Sequence, residues 1–96
     1  MDDWIDTDSD DEYRLDVGDF EWDEVKAATN LDKHGVSFDE AREAIEHAQY
    51  ISEPYRMRGE SRMVILGPSS MGRMLEVVIT MRGQNVRIIS ARRYRP

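Results

Sequence analysis

The chain lacks cysteine, and it has no apolar stretch long enough to span a membrane. The absence of cysteine excludes a disulfide framework and thiolate chemistry. A membrane-spanning helix needs about 20 apolar residues in succession, and no run here approaches that length. The acidic N-terminus has neither the basic nor the apolar segment of a signal peptide. We therefore expect a cytoplasmic protein without a membrane partner, with room for one domain in its 96 residues.

Histidine is also scarce, because His34 and His47 are the only two in the chain. Neither an HExxH motif nor a cysteine and histidine set is present. Glu40, Glu43 and His47 recur at helical spacing, a pattern more typical of a solvated helix face than of a metal site. The sequence therefore predicts neither a metal nor a cofactor.

The basic residues are concentrated at one end of a chain whose net charge is −7. Residues 1–19 contain nine acids and one arginine, and residues 20–55 contain nine acids and three bases. Residues 56–96 reverse this balance, with nine arginines and two acids. A polarised chain can still present a basic face, so the net acidity does not exclude an RNA partner.

Residues 1–19 are predicted to form a disordered acidic tail, because their like charges repel and few apolar groups oppose them. Residues 20–96 are predicted to form a single domain. Two interpretations of the tail stay open: it is solvated, or it folds back on the basic half as an electrostatic mask. The tail also has four larger apolar side chains available for docking: Trp4, Ile5, Tyr13 and Leu15.

Two helices are predicted after a short strand at Phe20–Trp22. Asp23 is a helix cap, and the first helix should end near His34, where Gly35 suits the left-handed stop. The sequence Ser37–Glu40 is a capping box that starts a second helix, which should fade by about Ala48. The predicted buried stripe of the first helix is Val25, Ala27, Ala28 and Leu31.

Residues 49–59 are predicted as a loop with a short strand at Tyr50-Ile51. Three longer strands follow, and Gly83-Gln84 fits a two-residue hairpin turn between the last two. The predicted fold class is α+β, with two N-terminal helices packed on an antiparallel sheet that ends in a three-strand meander. The three strands are Arg62–Gly67, Met74–Arg82 and Asn85–Arg93.

Strand alternation about the Gly83-Gln84 turn divides the side chains between two faces of the sheet. The helices are expected to cover the face of Leu75, Val77, Ile79, Met81, Val86 and Ile88, with Arg92 falling on the same side. Glu60 and Arg62 join the opposite face if Leu66 lies opposite Met74. That face is expected to carry Thr80, Arg82, Arg87 and Arg93, with Glu76 lower down.

Arginine suits phosphate binding, because its planar guanidinium donates paired hydrogen bonds and stays charged. Cleavage of RNA also requires proton transfer at the 2′-hydroxyl and at the leaving oxygen, for which Glu60, Lys33 and His34 are the candidates. The alternative interpretation is a solvated sheet face with ion pairs and no catalytic role.

Three segments together resemble the BrnT family of type II toxin–antitoxin ribonucleases. The first runs from a tryptophan-aspartate strand to a lysine-histidine-glycine helix end, the second enters a strand, and the third is the arginine-rich hairpin. Their order and spacing also fit the family over roughly residues 20–94. The matching residues are Phe20–Asp23, Lys26–Ala28, Asn30, Lys33–Phe38, Gly59–Arg62, Thr80–Gly83 and Val86–Arg93.

The resemblance implies a fold like the RelE ribonucleases and an RNA-cleaving site that works without metal. It also implies a BrnA-type antitoxin that silences the toxin, with operator DNA bound only through that antitoxin. Family members usually continue past the arginine pair into a basic helical segment, whereas this sequence stops at Pro96, so weaker RNA binding or catalysis is an expectation. The candidate residues are Glu60, Arg62, Arg82, Arg93, Lys33 and His34 for catalysis, and Arg87 and Arg92 for RNA binding.

Two other functions compete with a ribonuclease toxin. In the first, the basic sheet face is a non-catalytic module that docks an acidic protein or the chain's own tail. In the second, the chain regulates DNA by itself. The second is weaker, because no helix carries a row of basic residues suited to the major groove.

Overall fold

The computed structural model describes residues 18–96, so nearly all of the predicted acidic tail lies outside the described residues. Helices α1 and α2 are followed by most of a six-stranded sheet. No helix among these residues is long and apolar enough to cross a membrane. The elements are β1 (Phe20–Glu21), α1 (Glu24–His34), α2 (Phe38–Glu46), β2 (Tyr50–Ile51), β3 (Tyr55–Met57), β4 (Glu60–Pro68), β5 (Met74–Arg82) and β6 (Asn85–Arg93).

The strand order is β1-β6-β5-β4-β2, and β3 also pairs with β4. Strands β4, β5 and β6 form the predicted antiparallel meander, and the α+β class is confirmed. Strand β1 lies parallel to β6, so the sheet is mixed rather than wholly antiparallel. Strand β3 falls in the segment predicted as loop, because three residues are too few for an alternation signal.

Both helices start at the predicted caps. The Asp23 carboxylate accepts hydrogen bonds from the amides of Val25 and Lys26, and the Ser37 hydroxyl accepts one from Glu40. Gly35 ends α1 in the left-handed conformation, with φ of 70°. These caps satisfy backbone donors that have no partner within the helix, so local sequence alone fixes both starts.

The core lies between α2 and one face of the sheet, hereafter the inner face. Five of the six predicted inner-face residues are buried, and Met81 packs against them half-buried. At Gly67 the strand approaches α2 so closely that a β-carbon would overlap the carbonyl oxygen of Ala44, which explains the glycine. The buried core comprises Val36, Phe38, Ala41, Ala44, Ile45, Ile65, Leu75, Val77, Ile79, Val86, Ile88 and Ala91.

The predicted buried stripe of α1 is wrong except at Ala27, which is half-buried and packs against the core. Val25 is 74% exposed and Leu31 is 52% exposed, whereas the buried residue of this helix is Asn30. Helix α1 lies beside β6, where the sheet edge has unpaired backbone groups. An amide side chain satisfies those groups and an aliphatic one does not, so backbone hydrogen bonding sets the rotation of the helix.

A β-bulge in β6 changes the predicted register of its second half. The register holds from Arg82 opposite Asn85 to Ile79 opposite Ile88, and then shifts by one residue. Beyond the shift, Glu76 lies opposite Arg92 and Leu75 lies opposite Arg93. The predicted faces of Arg92 and Arg93 are therefore exchanged, because one extra residue reverses alternation.

The remaining sheet surface, opposite the helices, is the outer face. Leu66 lies opposite Glu76 and not, as predicted, opposite Met74. A shift of two residues preserves alternation, so Glu60 and Arg62 are on the outer face as predicted. The outer face therefore carries Arg62, Arg82, Arg87 and Arg92, together with Glu60 and Glu76.

The Glu40 side chain forms an ion pair in place of the second half of the capping box. Its two oxygens accept hydrogen bonds from Arg73, with N–O distances of 2.6 and 2.8 Å, and Oε2 also accepts one from Ser69. Arg73 additionally donates to the Gly35 carbonyl. One arginine thus joins the end of α1, the start of α2 and the β4–β5 turn.

We expect this ion pair to make folding stability depend on acid. Hydrogen bonds from Arg73 lower the pKa of Glu40 below its ordinary value of 4.5, with a smaller contribution from Ser69 and opposition from burial. A lowered folded-state pKa gives stabilisation that is complete above about pH 4.5 and is lost as the pH falls through the folded-state value. Urea unfolding of wild type and Glu40→Gln should differ clearly at pH 7 and converge toward pH 3. An equal difference at both pH values would contradict this assignment.

Candidate active site

A cleft of about 340 Å³ lies where the C-terminal end of α1 meets the last residues of β6. Two of its residues, on α1, have side chains that can transfer protons, and its arginines come from the end of β6 and the residues after it. The cleft also contains one carboxylate from β5. The lining residues are Lys33, His34, Glu76, Arg92, Arg93 and Arg95.

Asn30 fixes the end of α1 against β6. Its side-chain nitrogen donates to the carbonyls of Ala91 and Val36, at 2.8 and 2.9 Å. Its side-chain oxygen accepts from the Ala91 amide, at 3.0 Å. Strand β1 pairs with β6 only as far as Arg87, so Asn30 occupies the place where a longer β1 would bond. Lys33 and His34 follow within one helical turn and are thereby held beside the strand end.

The β-bulge gives the cleft its arginines on both sides of the sheet. Arg92 is on the outer face, where its Nε lies 3.4 Å from the Glu76 carboxylate. Arg93 has the inner-face parity of Leu75, at the end of the sheet that α1 covers. Without the extra residue both side chains would exchange sides. The cleft therefore depends on the bulge as well as on the arginine pair.

A second cluster, here called the hairpin-end cluster, lies at the opposite end of the outer face, beside the Gly83-Gln84 turn between β5 and β6. Arg62 pairs with Glu60 at 2.7 Å, and Arg87 pairs with Glu21 at 2.9 Å. Hydrogen bonds from Asn85 and Arg87 lower the pKa of Glu21, and the charge of Arg82 adds to this effect. The cluster has three arginines, Arg62, Arg82 and Arg87, and the first and last of these already have carboxylate partners.

The predicted site residues are thus divided into two groups. Lys33, His34, Arg92 and Arg93 meet in the cleft, whereas Glu60, Arg62, Arg82 and Arg87 lie near the hairpin end. Glu76 and Arg82 are six positions apart along β5, which corresponds to roughly 20 Å along an extended strand. A single phosphate cannot contact both groups.

The cleft has the larger excess of positive charge. Apart from His34, its four cations and one carboxylate give a net charge of +3, while the hairpin-end cluster has three arginines and two carboxylates. Within residues 18–96, no carboxylate forms an ion pair with Lys33, Arg93 or Arg95. Across the same residues, no group of three or more potential metal ligands occurs. The arrangement suits a phosphate anion close to proton-transfer groups.

Three residues of this site were not predicted as members of it. Glu76 was predicted on the correct face, but its closeness to Arg92 depends on the bulge. Arg95 follows the predicted strand, so alternation gives no position for it. Asn30 was noted only as part of a motif, and an asparagine within an amphipathic helix is the available signal that a buried polar contact exists.

Comparison with known proteins gives the family of this fold and cleft. A family model described as "Ribonuclease toxin, BrnT, of type II toxin-antitoxin system" matches residues 22–96. The chain belongs to the BrnT family. The match spans both helices, the meander and the complete cleft, which confirms the resemblance found in the sequence.

The crystal structure of the Brucella abortus ribonuclease toxin BrnT is similar to this chain. The two share 21% sequence identity at a TM-score of 0.56, over 81% of this chain and 97% of that chain. At this identity the likeness shows a shared BrnT fold. No curated protein sequence matches the chain significantly.

Proposed function

We propose that this BrnT-family chain is an endoribonuclease toxin that cleaves RNA in the cleft and thereby inhibits translation and growth. The observation that carries the proposal is the excess of cations beside His34, Lys33 and Glu76 at one position. Its site is proposed to resemble those of the RelE ribonucleases, to work without metal, and to act in the cytoplasm.

The reaction needs three groups at one phosphate, and we assign these roles to residues that line the cleft. The Glu76 carboxylate accepts the proton of the 2′-hydroxyl, and the 2′-oxygen then forms a bond to phosphorus. The bond from phosphorus to the 5′-oxygen breaks, and protonated His34 donates a proton to that leaving oxygen. The products are a 2′,3′-cyclic phosphate and a 5′-hydroxyl end.

Lys33, Arg93 and Arg95 stabilise the negative charge that accumulates on the phosphate in the transition state. Arg92 holds Glu76 in place through the contact on the outer face. Arg82, Arg87 and Arg62 bind the RNA backbone about 20 Å away, which is several nucleotides from the cleaved bond. Glu60 positions Arg62 through their ion pair.

We also propose a BrnA-type antitoxin as the partner that silences the toxin. Membership of a type II family implies an antitoxin protein and an RNA substrate. A partner that covers the cleft must neutralise a net charge of +3, so an acidic or phosphate-mimicking segment is expected there. Operator DNA is bound only through the antitoxin in this proposal.

A second function, a non-catalytic binding module, is favoured by the ion pairs of the hairpin-end cluster. Arg62 and Arg87 are each held by a carboxylate, as in a structural network on a solvated sheet. This function predicts RNA or protein binding without cleavage.

Inducible expression of the chain alone in a bacterial host tests the proposal. Wild type should arrest growth and degrade total RNA, and Arg93→Ala should abolish both effects. Lys26→Ala removes an exposed cation from the same protein outside the cleft and should remain toxic. Normal growth with soluble wild-type protein and intact RNA would favour the binding module. Equal toxicity of Arg93→Ala would place the site elsewhere.

A further inference from the structure

The outer face carries an apolar band between its two basic ends. Val64, Leu66 and Val78 lie on this face and are only half-buried, because both helices cover the opposite side of the sheet. Tyr50 pairs with Leu66 and shares its face, with 47% of its surface exposed. Arg82 lies at one end of this band and Arg92 lies at the other. Such a surface fits an extended partner that is both acidic and apolar.

The N-terminal segment enters the sheet at the hairpin end of this surface. The Gly18 amide donates to the Gln84 carbonyl at 2.7 Å, and the Asp19 amide donates to the Asn85 side chain at 3.1 Å. Asn85 lies directly opposite Arg82. The residues that precede Gly18 therefore start within a few ångströms of the basic end of the outer face.

The first outer-face carboxylate after this entry is already paired with arginine. Glu21 contacts Arg87 at 2.9 Å, and its pKa is lowered by Asn85 and Arg87, with a further contribution from Arg82. The described part of the segment thus shows how acids of this chain bind arginines of the outer face. Residues 1–17 continue the same chemistry, with eight acids and only one arginine.

The composition of residues 1–17 also matches the apolar band. Trp4 and Ile5 lie near one end of the segment, and Tyr13 and Leu15 lie near the other. An extended chain covers about 3.3 Å per residue, so these residues reach up to roughly 56 Å from Gly18. The outer face from Arg82 to Arg92 needs less than half that length. The segment is therefore long enough to run along the face and turn back on it, which allows both apolar pairs to contact the band while acids contact arginines at both ends.

We propose that residues 1–17 bind along the outer face from Arg82 to Arg92 and exclude RNA from the cleft and its approach. The family match begins at residue 22, so this segment adds a cis-acting element to the BrnT domain. Docking is independent of catalysis, whereas the regulatory consequence rests on the proposed ribonuclease function. Binding within one chain needs no partner concentration, so RNA must compete with a permanently available segment.

The first experiment measures docking without RNA. Because the chain has no cysteine, Ser9→Cys provides a single site for a nitroxide spin label on the full-length protein. The methyl signals of Val64, Leu66 and Val78 should broaden. The exposed methyls of Val25 and Leu31, on the helix side, are the internal control and should stay sharp. Equal broadening of both sets, or no broadening of the outer-face set, would overturn the proposal.

The second experiment measures competition with an RNA that cannot be cleaved. A fluorescent 2′-O-methyl single strand of uridines is titrated with wild type and with the variant Asp6→Asn, Asp8→Asn, Asp10→Asn, Asp11→Asn. The variant should bind about tenfold more tightly at low salt, and the difference should shrink as salt screens it. The control variant changes the net charge by the same amount at four exposed positions of the domain, and it should show a much smaller gain in RNA affinity. Its substitutions are Glu24→Gln, Asp32→Asn, Asp39→Asn and Glu53→Gln.

The outcomes separate this proposal from the proposed function. Equal gains for both quadruple variants would show an effect of net charge alone and would overturn the masking. Outer-face broadening together with a selective gain in RNA affinity supports it, whether or not natural RNA is cleaved. When spin-labelled molecules are added to NMR-visible molecules without a spin label, broadening of the outer-face methyls on the latter would show that the segment of a second copy occupies this face, and would also overturn the proposal.

Discussion

Replacing Asn30 with alanine should lower the free energy of unfolding by about 3–5 kcal/mol, because each buried polar group left without a partner costs roughly 1–3 kcal/mol. The substitution leaves two carbonyls and one amide without their hydrogen bonds, at Val36 and Ala91. Asn30 is only 6% exposed, so water cannot readily replace the amide. This loss is a large share of the stability of a small domain.

Urea unfolding of wild type, Asn30→Ala and Thr29→Ala measures this effect. Thr29 is the exposed neighbour on the same helix, so its replacement tests helix propensity and leaves the hydrogen bonds intact. Asn30→Asp has nearly the same shape but replaces the amide donors with an acceptor facing two carbonyls, and it should destabilise at least as much as alanine. A loss below about 1 kcal/mol for Asn30→Ala would show that β6 does not need this contact.

Replacing His34 with alanine should slow RNA cleavage by about 10²–10⁴-fold, the usual range for loss of a positioned general acid. His34 lies in the last turn of α1, exposed at the cleft, so its removal creates no internal cavity. Thermal unfolding of the variant should therefore match wild type. Lys33→Ala should also slow cleavage, through weaker stabilisation of the phosphate. Lys26→Ala, on the same helix but away from the cleft, should retain wild-type rates.

The role of His34 as the acid can be separated from a role in binding. A substrate with sulfur in place of the 5′-bridging oxygen has a leaving group that needs no proton. Its cleavage by His34→Ala should recover toward the wild-type rate, whereas Lys33→Ala should show no such recovery. Equal losses of both variants on both substrates would assign His34 to phosphate binding and would require another acid.

Local patterns in the sequence determined much of the fold. Asp23 and Ser37 fixed the helix starts, and Gly35 fixed the end of α1, because capping satisfies backbone groups within a few residues of the cap. Alternation and the Gly83 turn located β5 and β6 at their observed bounds. The division of charge between the acidic residues 1–55 and the basic residues 56–96 was also visible in the sequence. Each of these features depends on neighbours in the chain, and so does the family motif.

Only the tertiary structure decided how the candidate residues are grouped. The β-bulge exchanged the faces of Arg92 and Arg93, since one inserted residue reverses every later side chain in the strand. Asn30 turned inward because an open edge of β6 needed hydrogen bonds, and Glu40 left its capping role for Arg73, 33 positions away. The sequence by itself identified residues suited to phosphate and proton transfer. Long-range strand pairing determined that four of them meet in one cleft and that four lie about 20 Å away.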